Sequence, residues 1–286
     1  MKAIRRLAFL VVCCAICASV QTWAQQASHP DEEQASRSFR WPEGKRAAIS
    51  LSFDDARLSQ VDTGLALFRR LGIKVTFFLE SNDIEQRLAG WKQVVADGHE
   101  IGNHSMTHPC TANYAFSLNN SLESYDLRAM AAQMDGANAQ IQKLLGVIPK
   151  TFAYPCGQKF VGRGLDVRSY VPLVADRFLV GRGYLDESPN DPSVCDLSQA
   201  MGTAFDSMDF AQMKTIVDEA ATEGRWVIFV GHEIGERGYQ ITDVKALEEL
   251  SSYLKDPANR IWVGTVEEIG RYIQHQREVA AKSKVG

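Results

Sequence analysis

The chain has 286 residues, 45% hydrophobic and 23% charged, enough for one large domain or two small ones with a core that needs no disulfide support. Its 31 Lys and Arg against 35 Asp and Glu give a formal net charge of −4. That acidic balance argues against a nucleic-acid partner, where phosphate contacts dominate affinity.

In chain order, Lys2, Arg5 and Arg6 precede an apolar run from Leu7 to Val20, and Thr22-Trp23-Ala24 offers a small-x-small cleavage site. This is the layout of a secretory signal peptide over residues 1–24; a run of about 14 residues falls short of the roughly 20 that span a bilayer. The expected location is therefore secreted or periplasmic, with no membrane attachment after cleavage. Loss of the three basic residues leaves 28 Lys and Arg against 35 Asp and Glu, a net charge of −7. Cys110, Cys156 and Cys195 remain of the six cysteines, which allows at most one bridge, its pairing open. Gln25 to Arg40 is polar, without apolar period, and reads as a disordered leader. The folded domain is expected over residues 41–280.

From there short apolar strands alternate with amphipathic helices. Strands are predicted at Ala47–Phe53, Ile73–Leu79, around Glu100–Gly102, and at Thr151–Tyr154, Phe178–Val180, Trp226–Val230 and Ile261–Val263. Helices are predicted at Leu58–Leu71, Ile84–Ala96, Leu122–Leu145, Phe210–Ala221, Val244–Leu254 and Val266–Gln276. About seven strands in repeated strand–helix units, without internal repeats, predict a parallel α/β fold in one domain; periodicity leaves barrel and open sheet both possible.

Three polar clusters follow predicted strands, where α/β folds place their sites. Asp54-Asp55 sets two carboxylates side by side, which is costly unless a cation lies beside them; Asp55 also suits a helix cap. His104 and His108 stand four apart in a loop bounded by Gly102 and Pro109, a spacing that turns both imidazoles the same way for a metal. His232, in Gly231-His232-Glu233, leaves the strand Trp226–Val230, placed either to reach a central site or simply to bond backbone. One Asp and two His make a three-ligand metal site with positions open for water and substrate, while a second carboxylate and a separate His supply base and acid. Such a set hydrolyses an amide or ester.

These clusters resemble the motifs of the polysaccharide deacetylases, the NodB-homology group or carbohydrate esterase family four. Ser52-Phe53-Asp54-Asp55-Ala56 is similar to TFDDG, His104-Ser105-Met106-Thr107-His108 matches H-[ST]-x-x-H, Phe152-Ala153-Tyr154-Pro155-Cys156-Gly157 resembles F-A-Y-P-Y-G, and Val230-Gly231-His232 resembles the final motif. The resemblance implies a distorted (β/α) barrel of about seven parallel strands. It implies Asp54 as catalytic base, Asp55, His104 and His108 as ligands of one divalent transition metal, expected to be zinc, and His232 as catalytic acid. It further implies substrate contacts from Tyr154, Cys156 and Gly157, with the Cys156 N–H as the oxyanion donor. Ala153 departs from the family, many of whose members carry there an Arg that orients the base; Arg163 and Arg182 are candidates to replace it. Asp206-Ser207-Met208-Asp209-Phe210 is similar to the family's D-x-x-D-W motif but also reads as an Asp cap before a helix, and the cap is the preferred reading. Two inserts, Cys110–Leu122 and Tyr184–Cys195, carry Tyr114, Phe116 and Tyr184, which would stack on sugar rings or anchor their own loops. The expected activity is removal of N-acetyl groups from N-acetylglucosamine units of a cell-wall or exported polysaccharide. The alternatives are an O-deacetylase of the acetylxylan esterase kind, using the same residues, and a carbohydrate-binding domain without turnover.

Overall fold

The computed structural model describes residues 39–236 and 238–283, so the predicted signal peptide and the leader up to residue 38 lie outside the described residues. Eight parallel strands form one sheet: β1 (Ala47–Asp54), β2 (Thr76–Leu79), β3 (Glu100–Asn103), β4 (Thr151–Ala153), β5 (Val180–Arg182), β6 (Thr203–Ala204), β7 (Trp226–Gly231) and β8 (Ile261–Val263). Seven run in the order β5-β4-β3-β2-β1-β7-β6, and β8 pairs with the first residues of β1, Ala47–Ile49. A bridge from Arg182 to Ala200, three residues before β6, brings the two edges of the sheet together. The result is the expected distorted barrel.

Every position of β1 and β7 is buried, because helices cover one face of the sheet and the barrel interior the other. The period of two sorts their side chains. Ile49, Leu51, Phe53, Val227 and Phe229 pack in an outer core with helices α1 (Leu65–Leu71), α2 (Leu88–Ala96), α5 (Phe210–Glu223) and α6 (Val244–Lys255). Ala48, Trp226 and Ile228 join Phe78, Ala153 and Val180 in an inner core with Trp41 and with Val266, Ile269 and Ile273 of α7 (Val266–Ser283). A third cluster gathers Met130 and Met134 of α3 (Leu127–Leu145) with Phe152, Tyr170 and Val174 of α4 (Val171–Arg177). By the same alternation Asp54 shares the inner face with Ala48, Ser50 and Ser52.

Several element ends differ from the sequence reading. The helix from Leu58 carries a π turn at Gln60–Gly64, and the strand read from Ile73 begins at Thr76. Residues Ser81–Arg87 wind as 3-10 turns ahead of α2. The helix read from Leu122 starts at Leu127, because the Asp126 carboxylate accepts the Ala129 N–H and ends the preceding loop. The strand read at Phe178–Val180 lies two residues later, and the last helix runs beyond Gln276 to Ser283. Only two residues of β6 pair, too few for periodicity to detect. Among the described residues no helix is long and apolar enough to cross a membrane.

Gly102 of β3 has no room for a side chain: a Cβ there would lie 2.3 Å from the Phe78 ring and 2.9 Å from Thr151 Oγ1. Gly102→Ala is expected to lower the unfolding free energy by about 1–3 kcal/mol. Urea denaturation tests this; an unchanged midpoint would show that Phe78 can rotate away.

Candidate active site

The carboxyl ends of the strands converge on one cleft of about 890 Å³, whose walls include Asp54, Asp55, Glu80, His104, His108, Tyr184 and His232. β1 delivers Asp54 and Asp55, β3 leads to His104 and His108, β5 ends in Arg182, β6 leads to Asp206, and β7 leads to His232.

Asp55, His104 and His108 come together as the sequence suggested. Their ligand atoms lie within 4.8 Å of one another, with Asp55 Oδ1 at 3.4 Å from His104 Nε2 and 3.5 Å from His108 Nε2. The chain reaches this arrangement through consecutive left-handed residues, Asp55 (φ 76°) and Ala56 (φ 54°), a backbone state costly for residues with a Cβ and often held at functional sites. His104 Nδ1 donates to the Ala153 carbonyl at 2.9 Å, which turns Nε2 toward Asp55; burial works to lower this imidazole, but the carboxylates of Asp54 and Asp55 pull it up. Arg57 occupies Asp55 Oδ2 at 2.9 Å, while buried Oδ1 has no hydrogen-bond partner. Burial works to raise the Asp55 carboxyl, yet the facing imidazole of His104, with those of His108 and His232, holds it well below the carboxylate range. Burial and the neighbouring His104 push His108 down to about 4, leaving it neutral. Two imidazole nitrogens and an unsatisfied buried oxygen facing one point are the donor set of a divalent transition metal, so the residues fit such an ion.

The loop holding the histidines is clamped from α3. Asn103 Nδ2 donates to Met134 O and Asn138 Oδ1, and its own Oδ1 accepts the Ser105 N–H at 2.7 Å. Gln133 Oε1 accepts the Met106 and Thr107 N–H groups and the Thr107 hydroxyl.

Asp54 is held from inside the barrel. Arg182, fully buried, donates from Nη2 to Asp54 Oδ1, stacks 4.8 Å from the Phe78 ring centroid and donates from Nη1 to Gly183 O at 2.8 Å. Of the two arginines considered as replacements for the residue at Ala153, Arg182 makes the contact and Arg163 is exposed. Only the pairing of β4 with β5, Ala153 opposite Arg182, makes one position stand in for the other.

His232 faces the same cleft backed by Asp206. Its Nδ1 donates to Asp206 Oδ2 at 2.6 Å, and Asp206 Oδ1 accepts from Thr242 Oγ1 at 2.8 Å and from the His232 N–H at 3.2 Å. Burial alone would lower the His232 imidazole; the bond to Asp206 and the charges of Asp54 and Asp55 pull it up instead. The preference for a helix cap at Asp206–Phe210 is thus half right. Asp209 is the cap, in a reciprocal capping box with Gln212, whereas Asp206 serves His232. Gln60, buried in the π turn, ties both ends of the cleft by donating to Asp54 O at 2.5 Å and His232 O at 2.9 Å.

The three residues expected to contact substrate, Tyr154, Cys156 and Gly157, separate. Cys156 lines the cleft and is bridged to Cys110, leaving Cys195 free. Tyr154 is fully buried and its hydroxyl is spent on Ser198 O at 2.6 Å, so it supports the wall and offers no polar atom to a ligand. Gly157 turns the chain at φ 68°, where a Cβ would meet the Tyr184 carbonyl at 2.8 Å, and it is not among the residues lining the cleft. Tyr184 lies edge-on to His232 at 5.5 Å, and the opposite rim carries Tyr114 and Phe116, stacked on each other at 5.3 Å and 44% and 68% exposed.

Arg182→Lys keeps a charge but loses the planar fork. Turnover is expected to fall by about 10²-fold, the scale of a misplaced catalytic group, with metal content unchanged, while Arg163→Ala retains the parent rate. Steady-state kinetics of both variants tests this, and equal losses would remove Arg182 from its place beside Asp54.

A family model described as polysaccharide deacetylase matches residues 42–163. A gellan lyase from a Bacillus species is 28% identical over 277 residues, 90% of this chain and 10% of that protein. A peptidoglycan-N-acetylglucosamine deacetylase, PgdA, of Listeria monocytogenes is 33% identical over 91 residues, 30% of this chain and 20% of its own length. The chain thus spans a fifth or less of these two relatives. In fold it is similar to a crystal structure described as a putative polysaccharide deacetylase from Mycobacterium smegmatis, with a TM-score of 0.63, 14% identity, and coverage of 84% of this chain and 94% of that one. The matched segment 42–163 carries the Asp54-Asp55, His104/His108 and Phe152–Gly157 motifs, so this part of the chain is similar to the polysaccharide deacetylases, and the barrel is the fold of the Mycobacterium smegmatis structure.

Proposed function

We propose that the chain is a metal-dependent hydrolase that removes N-acetyl groups from N-acetylglucosamine units of a cell-wall or exported polysaccharide, acting outside the cytoplasm. The observation that carries this reading is the pair of opposed devices across one cleft: Asp54 gripped by Arg182 beside a three-ligand metal set, and His232 gripped by Asp206.

Asp55, His104 and His108 would hold a divalent transition metal, zinc in this reading, which when bound would supply Lewis acidity to an acyl oxygen and to a water. Asp54 then takes the water's proton on Oδ2, since Arg182 engages Oδ1. The Cys156 N–H, in the cleft wall, is the donor for the developing oxyanion. His232, its Nδ1 proton committed to Asp206, delivers a second proton from Nε2 to the departing nitrogen. An amine leaves poorly unless protonated, so a buried, carboxylate-backed imidazole is a stronger requirement for an amide than for an ester; this favours N- over O-deacetylation. A sugar polymer fits the open cleft and its exposed Tyr114–Phe116 rim, where pyranose rings would stack. The PgdA likeness supports a glycan bearing N-acetylglucosamine.

Two outcomes follow. His104→Ala is expected to lose most bound metal by elemental analysis, and full occupancy would dismantle the ligand set. His232→Ala is expected to keep its metal and lose about 10²–10⁴-fold in acetate release from N-acetylglucosamine oligomers, with a smaller loss on an activated acetate ester. Equal losses on both substrates would assign His232 another role, and acetate release from acetylxylan alone would replace the N-acetyl reading with the O-acetyl one.

A further inference from the structure

His108 has two faces. Its Nε2 looks toward Asp55, while its Nδ1 lies 3.6 Å from Cys110 Sγ, one half of the bridge to Cys156. His108, Cys110 and Cys156 bring one ligand atom each within 4.8 Å of one another, the same closeness as in the Asp55–His104–His108 set. Cysteines joined in a disulfide are poor ligands, but a pair of thiolates and an imidazole form a soft donor set that suits Zn²⁺ or Cd²⁺.

The two cysteine loops do not rely on the disulfide alone to stay together. The Thr111 N–H donates to Gln158 Oε1 at 2.8 Å, directly joining the segment after Cys110 to the one after Cys156. Cys110 is fixed on both sides by Ser117, which accepts its N–H and donates to its carbonyl, each at 2.9 Å. The Cys156 turn closes through the Gly157 N–H to Tyr154 O at 2.8 Å, and the His108 N–H is held by Ser105 Oγ at 3.0 Å. These bonds keep the three side chains adjacent whether or not the sulfurs are joined.

We propose that Cys110, Cys156 and Nδ1 of His108 form a second, thiolate-containing site for a soft divalent cation, present only when the disulfide is reduced, and that the disulfide keeps the cleft's cation on the Asp55–His104–His108 set. Reduction starts at Cys156, the sulfur on the cleft side, since Cys110 is fully buried. A thiolate of an external dithiol attacks Cys156 Sγ, the Cys110 sulfur leaves and takes a proton, and the second thiol of the reductant resolves the mixed disulfide. The protein gains two thiols and the dithiol becomes a disulfide, a two-electron exchange. Cation binding then releases the two thiol protons to solvent. A neutral imidazole has one ring proton and one lone pair, so His108 that ligates through Nδ1 carries its proton on Nε2 and is withdrawn from the first set. The proposal concerns metal placement and does not depend on the substrate.

Cobalt(II) titration of full-length His104→Ala, in which the first site is broken, tests it. The oxidised variant is expected to bind cobalt weakly, without thiolate-to-metal charge transfer. After reduction by a dithiol and its removal, the same protein should bind cobalt at least tenfold more tightly with a strong charge-transfer absorption. The absorption should vanish when Cys110→Ser and Cys156→Ser are added, a comparison that leaves Cys195 in place and so excludes it as the source. Near-ultraviolet circular dichroism of the reduced protein and of the double serine variant reports whether the loops hold without the bond. Reduction that brings no charge transfer, charge transfer that survives the double substitution, or collapse of the dichroism in both proteins would each overturn the proposal.

Discussion

The buried ion pair between Arg182 and Asp54 is the contact around which the cleft is organised. A guanidinium with no exposure at the top of a barrel interior is tolerable only with a carboxylate on it, and removing one partner of such a pair typically costs about 3–5 kcal/mol. The pair fixes the inner-face direction of β1, and with it the position of Asp55 one residue on. The Phe78 ring beneath the guanidinium and the Gly183 carbonyl beside it leave Arg182 little room to swing. The carboxylate proposed to take a proton from water is thereby kept in one orientation before any substrate arrives, the preorganisation on which such sites depend.

Around that pair, polar side chains from the helices stitch the strand ends to one another. Gln60 joins the chain at Asp54 to the chain at His232, so the proposed base and acid are referred to the same amide. Gln133 and Asn103 hold the loop between the two histidines, and the Cys110–Cys156 bond ties that loop to the turn at Cys156 in the cleft wall. Left-handed backbone at Asp55, Ala56, Ser105, His108 and Cys156 is concentrated at these same turns. Strain of this kind persists only where the surroundings over-determine the geometry.

The opposite end of the barrel is polar for a different reason. Glu100, at the start of β3, accepts from the Thr76 and Thr151 hydroxyls and the Glu267 N–H, the last at the first turn of α7. Burial raises its carboxyl despite those bonds. Glu100 there satisfies one open N–H of the first turn of α7, and Thr76 Oγ1 takes that of Val266, so the group belongs to the scaffold.

Much of this was legible in the sequence because it is local. The alternation of apolar runs named the parallel α/β class, and Asp54-Asp55, His104/His108 and His232 announced themselves as polar clusters at strand exits, where side-chain chemistry and spacing are both visible. What the sequence left open depended on which strands are neighbours. Arg182 replaces an arginine absent at Ala153 only because β4 and β5 pair in register, and Arg163, an equal candidate by composition, points to solvent. Asp206 looked like a cap because its partner lies 26 residues away across the β6–β7 pairing, while the cap role fell to Asp209 three residues on. The choice among three cysteines was likewise decided by two loops meeting over the cleft. Residue type and local spacing determined the kind of chemistry; strand register and loop closure, which bring distant positions within hydrogen-bond reach, determined the partners that hold it in place.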